Sequence, residues 1–250
     1  MGGSEQVVLL EQRIRLGVDE LEVFPEEWAM SVRMRQARAQ EFLTARDLAH
    51  RAASLIGLPP RPILRRADGA PVWPEDRAGS ITHTQSYIAV MLGHAESIGA
   101  IGFDAEANVP LGAKVRELLL HETELKHIEA LYATRPEVAW DTVIHSVKET
   151  VFKLDSSRSR GWLDPHDVSV MLLPAASAFC ATFRGRDVYG AMSLSRSLIR
   201  TWIVDDDRDS GREAGSSTRG GVASCELQAL PVPIAYERRG VECDYSKAAL

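Results

Sequence analysis

The chain has 250 residues, 45% of them apolar, with 29 basic and 35 acidic side chains and a net charge of −6. These proportions exclude a collagen-like or wholly disordered chain, and no apolar run approaches the ~20 residues needed to cross a bilayer. The opening Met1–Gln6 lacks the basic and apolar regions of a signal peptide, and three widely spaced cysteines (Cys180, Cys225, Cys243) do not suggest a disulfide framework, so a cytoplasmic protein with no membrane partner is expected.

Residues 31–56 read as a helix. Phe42, Ala45, Leu48, Ala49, Ala52 and Ile56 recur at i, i+3, i+4 and i+7, and Gly57 with Pro59-Pro60 ends the run. Residues 31–66 also hold eight arginines against Glu41 and Asp47, a surplus of six that leaves the remainder of the chain at −12. A basic sector on an acidic protein suits a compact polyanion or an acidic partner, or it is a solvated arginine-rich helix. It suits long nucleic acid poorly, because the acidic remainder would repel it. Gly69, Pro71 and Pro74 punctuate a loop. Residues 80–92 and 98–106 read as strands bridged by a turn near Gly93. A second helix is predicted over 113–132, with Leu118, Leu125, Ile128 and Leu131 on its apolar face, and a third over 136–153. Short strands are predicted at 167–173, 178–184 and 199–204. The mixed order, without regular βαβ alternation, points to the α+β class. Beyond Val204 the sequence turns to Asp, Ser, Gly and Arg, and 206–250 is expected to be a disordered extension.

Three places carry chemistry. On a strand, Asp104 and Glu106 share one face, roughly 7 Å apart at the backbone, while Ile101, Phe103 and Ala105 face the other way. Such a pair suits a hard divalent cation, or it is a solvent-facing acidic pair. On the third helix Asp141, His145, Glu149 and Lys153 are spaced by four. They would supply a metal ligand, a base and a phosphate clamp, or they form a surface laced with i,i+4 pairs. Gly79-Ser80-Ile81-Thr82-His83-Thr84 enters a strand with hydroxyls and an imidazole that suit a phosphate, or His83 is a structural hydrogen-bonder.

Taken in order, these segments resemble the 4′-phosphopantetheinyl transferases, in particular the long, pseudo-dimeric type of enterobactin and surfactin synthesis. Arg38-Ala39-Gln40-Glu41-Phe42 with Arg46 resembles the family's R-x-x-E-F…R helix. Gly69-Ala70-Pro71-Val72-Trp73-Pro74 with Gly79-Ser80-Ile81-Thr82-His83 resembles its G-x-P-x-W-P…G-S-x-x-H loop. Ile101-Gly102-Phe103-Asp104-Ala105-Glu106 resembles its metal strand, and Ser146-Val147-Lys148-Glu149-Thr150-Val151-Phe152-Lys153 its S-x-K-E-x-x-x-K helix. The later Arg184-Gly185-Arg186 and Thr201-Trp202-Ile203-Val204 resemble its closing strands, so the likeness spans about residues 35–204.

The resemblance implies two pseudo-symmetric α/β halves, each a small antiparallel sheet packed on a long helix. The halves would be 1–107 and 108–205, with coenzyme A in the cleft between them and 206–250 as the extension. It implies Mg²⁺-dependent transfer of 4′-phosphopantetheine from coenzyme A to a serine of an apo acyl or peptidyl carrier protein by a monomer. Asp104 and Glu106 would hold Mg²⁺. Glu149 would be a metal ligand or the base that deprotonates the carrier serine, and Lys153, catalytic with it, would clamp phosphate oxygens together with Lys148. Arg38, Arg46, Thr82 and His83 would meet the 3′-phosphate or pyrophosphate, and Arg65 or Arg66 the 3′-phosphate. Removing Asp104 is expected to abolish turnover and spare the fold. Two positions depart from the pattern. His145 stands where the family has an aromatic residue, and Leu154-Asp155-Ser156-Ser157 where it often has an aromatic-proline pair. The alternatives are a non-catalytic module that binds coenzyme A or a carrier, and an unrelated metal-dependent phosphohydrolase or nuclease using Asp104, Glu106 and Glu149.

Overall fold

The computed structural model describes residues 7–13, 21–84, 87–158, 163–205 and 234–238. Strand β1 (Val7–Arg13) precedes helices α1 (Pro25–Ser31) and α2 (Gln36–Leu55). A short ribbon, β2 (Leu64–Arg65) and β3 (Pro71–Val72), leads to β4 (Arg77–Thr84), β5 (Tyr87–His94) and β6 (Ala100–Ala107). Helices α3 (Ala113–Leu119), α4 (Glu122–Thr134) and α5 (Trp140–Arg158) follow. Strands β7 (Ser169–Leu173), β8 (Ala178–Phe183), β9 (Arg186–Leu194) and β10 (Leu198–Asp205) come next, then β11 (Ile234–Arg238).

These strands form two main sheets, ordered β11-β1-β5-β4 and β6-β10-β9-β8-β7. All their pairings are antiparallel except β1 with β11. Side chains alternate across a strand, so each sheet has two faces to bury. Val8, Leu10, Ile88, Val90 and Leu92 meet Leu48, Ala49 and Ala52 of α2. Their neighbours Val7, Leu9, Ala89 and Met91 turn the other way, onto Ile101, Phe103 and Ala105 of β6. The far side of the second sheet, with Phe179, Ala181, Ile199 and Ile203, packs on Val143, Val147 and Val151 of α5. The layers therefore run α2, first sheet, second sheet, α5, a mixed α/β build with a helix on each outer face.

Strand β4 is a sheet edge, and side chains join it to β6 in place of a ladder. Ser80 Oγ accepts from Phe103 N (3.1 Å) and Thr82 Oγ1 from Ala105 N (3.1 Å). Strand β6 lies before residue 107, yet it ladders along its whole length with β10, from Ala100↔Asp205 to Ala107↔Leu198.

The strand expected over 80–92 is two strands paired Thr84 to Tyr87. The polar run Thr82-His83-Thr84-Gln85-Ser86 spans the junction of the two strands, but it holds no Gly, Pro, Asn or Asp to mark a turn. The helix expected over 113–132 is split. Leu120 is extended, and the Glu124 carboxylate accepts from His121 N (2.8 Å) to start a new helix. Strands β1 and β9 and helix α1 were not foreseen. Of the segment 206–250, only 234–238 is described, as the strand beside β1; the rest of the expected extension lies outside the described residues. No described helix is long and apolar enough to cross a membrane.

Candidate functional site

A cleft of about 460 Å³ opens where α2, β4, β6 and α5 converge. One glycine decides how closely its walls approach. A Cβ at Gly102 would fall on the Thr150 carbonyl oxygen, so only glycine lets β6 lie against α5. The contact brings Asp104, two residues on, within reach of α5. Lys153 Nζ donates to Asp104 Oδ1 (2.6 Å) and to Phe103 O (3.1 Å), and Ser146 Oγ donates to Asp104 Oδ2 (2.8 Å). From β4, Thr82 Oγ1 donates to Asp104 Oδ1 (3.1 Å). Asp104 is thus only 4% exposed, and the strand face it shares with Glu106 is covered by α5 rather than by solvent.

Charge balance sets the protonation of this cluster. Burial alone would raise the Asp104 carboxyl, but the Lys153 ammonium and the hydrogen bonds from Ser146 and Thr82 hold it below the usual carboxylate range. Glu106 behaves oppositely. Desolvation, then repulsion from Asp104 and Glu149, pushes it up to about 7. Glu149 lines the same cleft. Three carboxylates facing one space with an oxygen-only donor set match a hard cation such as Mg²⁺ in chemistry, and a cation there would offset the repulsion from Asp104 and Glu149 that adds to the desolvation of Glu106. Among the described residues no three His, Cys, Asp or Glu side chains stand ready-made as a metal cluster, and Lys153 is the cation that pairs with Asp104.

The other wall is basic. Arg38 Nη1 donates to Glu41 Oε2 (2.9 Å) and to His83 Nε2 (2.7 Å). A guanidinium can only donate, so His83 Nε2 accepts and the ring is neutral with its proton on Nδ1. Desolvation and then the Arg38 charge lower the His83 pKa, which agrees. Arg46 is buried, donating to Ile63 O (2.8 Å) over the Phe42 ring. Burial lowers its pKa to about 10, which leaves it charged at neutral pH. Arg65 donates to Gly69 O (3.2 Å). Arg66 pairs with Asp68 (2.7 Å) and reaches Ser156 O at the end of α5 (3.1 Å). Trp73 forms part of the wall. A Cβ at Gly79 would meet its indole at 2.7 Å, so that glycine makes room for the ring against β4.

Ten of the eleven expected site residues line this one cleft: Arg38, Arg46, Arg65, Arg66, Thr82, His83, Asp104, Glu106, Glu149 and Lys153. Lys148 does not, and the expectation that it clamps phosphate is corrected. Its side chain is 3% exposed, ion-paired with Glu124 (2.9 Å) and donating to Leu119 O (2.7 Å) and Pro165 O (3.0 Å). It ties α4 to α5, because five residues between 148 and 153 rotate a helix by ~140°. Asp141 is apart as well. Its carboxylate accepts from Leu111 N (3.2 Å) and Tyr132 OH (3.0 Å). Spacing by four drifts ~40° per step, so the far end of that stripe leaves the cleft. His145 Nε2 lies 3.9 Å from Glu106 Oε1. Sequence reasoning gave no role to Ser146, Thr201, Trp73 or Asp68; the first three lie inside quoted segments, and Thr201 alternates toward α5 on its strand.

Residues 26–93 match the sequence model of the 4′-phosphopantetheinyl transferase N-terminal domain, and residues 100–202 that of the 4′-phosphopantetheinyl transferase superfamily. Together the two matches cover more than half of the chain. Over 159 residues the chain is 36% identical to the 4′-phosphopantetheinyl transferase Svp of Streptomyces mobaraensis, a match covering 64% of this chain and 65% of that protein. Over 186 residues it is 28% identical to PptT of Mycobacterium tuberculosis, covering 72% and 81%. Over 161 residues it is 29% identical to Npt of Nocardia iowensis, covering 64% and 69%. All three carry the name 4′-phosphopantetheinyl transferase.

Proposed function

The chain belongs to the 4′-phosphopantetheinyl transferase superfamily, and from that premise we propose that it moves 4′-phosphopantetheine from coenzyme A to a serine hydroxyl of an apo carrier protein. One observation carries this reading. A single cleft gathers three carboxylates and a lysine on one wall with arginines and an imidazole on the other, as a pyrophosphate with a 3′-phosphate requires. The two-sheet build, with a helix on each outer face, supports the two-half, pseudo-dimeric subtype.

In this reading the serine oxygen attacks the β-phosphorus of coenzyme A. A new P–O bond forms, the bond to the bridging oxygen breaks, and adenosine 3′,5′-bisphosphate leaves. Asp104, Glu106 and Glu149 would hold a Mg²⁺ ion, which when bound supplies charge neutralisation for the pyrophosphate. Glu149 serves as the third ligand or as the base that takes the serine proton. Lys153 exchanges its contact with Asp104 for a phosphate oxygen. Arg46, held rigid by burial, is pre-set toward phosphate, and Arg38 with the neutral His83 donates beside it. Arg65 and Arg66 meet the 3′-phosphate.

Incubation of the chain with coenzyme A, Mg²⁺ and a panel of apo acyl and peptidyl carriers tests the proposal by intact mass. At least one carrier is expected to gain one phosphopantetheinyl group, only with the metal present. No gain on any carrier, with coenzyme A still bound in calorimetry, would establish the non-catalytic binding module instead.

A further inference from the structure

Behind Asp104 lies a line of hydroxyls that the proposed chemistry does not use. Ser146 Oγ is 2.9 Å from Thr201 Oγ1, and Thr201 Oγ1 is 2.7 Å from Thr150 Oγ1. Thr150 Oγ1 also donates to Thr201 O (3.1 Å). Ser146, Thr150 and Thr201 are each 0% exposed. The line crosses from α5 to β10, back to α5, and ends on the carboxylate of β6.

Its proton order follows from one fact. An ionised carboxylate only accepts, so Ser146 must spend its single proton on Asp104 Oδ2. Ser146 therefore accepts from Thr201. With Thr201's proton so committed, Thr201 Oγ1 can only accept from Thr150. The O–H dipoles of Ser146 and Thr201 point along the line toward the carboxylate, Thr150 shares its single proton between Thr201 Oγ1 and Thr201 O, and aligned hydroxyls of this kind strengthen one another in a water-excluded interior. Buried hydroxyls cost desolvation that valine or alanine would not, so packing alone does not account for three of them here.

We propose that Thr201 is a positioning residue that acts on Asp104 through Ser146, fixing the Oδ2 oxygen against α5. The effect is to present Oδ1, beside Thr82 and Lys153 on the cleft side, as the oxygen offered to a cation. This rests on the reading of Asp104 as a metal ligand.

The test is Mn²⁺ alone titrated into the full chain and followed by electron paramagnetic resonance, with thermal unfolding recorded on each variant. Thr201→Val is expected to weaken Mn²⁺ binding about fivefold, the scale of one hydrogen bond between neutral groups. Thr201→Ser, which keeps the hydroxyl and loses only a methyl, is expected to stay near the parent affinity. Because the effect passes through Ser146, Ser146→Ala with Thr201→Val should bind no more weakly than Ser146→Ala alone. Thr201→Ala replaces the valine variant if that one does not fold. Parent affinity in Thr201→Val, equal loss in Thr201→Ser and Thr201→Val, or additive losses in the double variant would overturn the proposal. Asp104→Asn separates the two levels. If it binds Mn²⁺ as the parent does, the ligand reading fails and the relay with it. If it loses Mn²⁺ while Thr201→Val keeps it, the relay alone fails.

Discussion

At the scale of single residues, Asp104 shows how much a neighbourhood adds to an identity. The sequence places it on a strand beside Glu106 and invites a solvent-accessible site whose loss spares the fold. The structure buries it under Lys153, Ser146 and Thr82. Asp104→Ala would strip Lys153 of its ion-pair partner and leave a cavity, and is expected to cost roughly 3 kcal/mol of stability as well as activity. Asp104→Asn keeps the shape, so it is the cleaner variant. Its turnover on an apo carrier is expected to fall at least ~100-fold with an unfolding midpoint closer to the parent's than that of Asp104→Ala. Near-parent turnover in the asparagine variant would remove Asp104 from the chemistry. Residue type and spacing made the acid-lysine constellation legible. They put Lys153 on the stripe with Glu149 but did not show where Lys148, five residues earlier, turns. Lys153 faces the cleft, and Lys148 turns to Glu124 with α4. Helix rotation settles that, once the helix's packing partners are known.

At the scale of elements, legibility follows contrast. Helix α2 announced itself by periodicity and by the Gly57 and Pro59-Pro60 stop, and it runs Gln36–Leu55. The β4–β5 hairpin did not, because the polar run at the junction of its strands, Thr82-His83-Thr84-Gln85-Ser86, carries no Gly, Pro, Asn or Asp turn signal. The approach of β6 to α5 rests on Gly102. Gly102→Ala is expected to push the strand from the helix, lower stability by about 2 kcal/mol or more and displace Asp104, read as a lower unfolding midpoint together with lost turnover. Unchanged stability would mean the two elements have room to spare. Helix α1 is anchored by Glu27, which is 0% exposed and accepts from Ile63 N (2.8 Å) and Phe24 N (2.9 Å) beside His50 Nε2 (2.9 Å). Burial works to raise its pKa, but the hydrogen bond with His50 and those from Ile63 and Phe24 win and hold it below 4.5. A depressed carboxyl stabilises the folded state above its unfolded pKa, and that contribution is lost as pH falls through 4.5 toward the folded value. Glu27→Gln should therefore cost about 3 kcal/mol at pH 7 and much less near pH 3, measured by denaturant titration. An equal cost at both pH values would contradict the assignment.

At the scale of the whole molecule, the site exists because two sheets are held together. Side chains of β4 replace a ladder to β6, and Arg200 of β10 donates to Glu11 of β1 (2.8 Å), which also accepts from Tyr87 OH (2.8 Å). Sequence periodicity gave only a mixed class, since these ties join residues as far as 189 positions apart. Strand β6 pairs with β10. Asp104 and Glu106 therefore come from the second sheet and Glu149 and Lys153 from α5, while Arg38, Arg46, Arg65, Arg66, Thr82 and His83 come from α2, the β2–β3 ribbon and the first sheet, so the cleft needs both sheets. The decisive measurement is a crystal structure of the chain with coenzyme A and Mn²⁺, the ion located by its anomalous signal. The account predicts one peak touching oxygens of Asp104, Glu106 and the pyrophosphate at about 2.2 Å, with Glu149 beside it and Lys153 released from Asp104. An ion elsewhere, or coenzyme A bound outside the cleft with the Lys153–Asp104 contact intact, would contradict it.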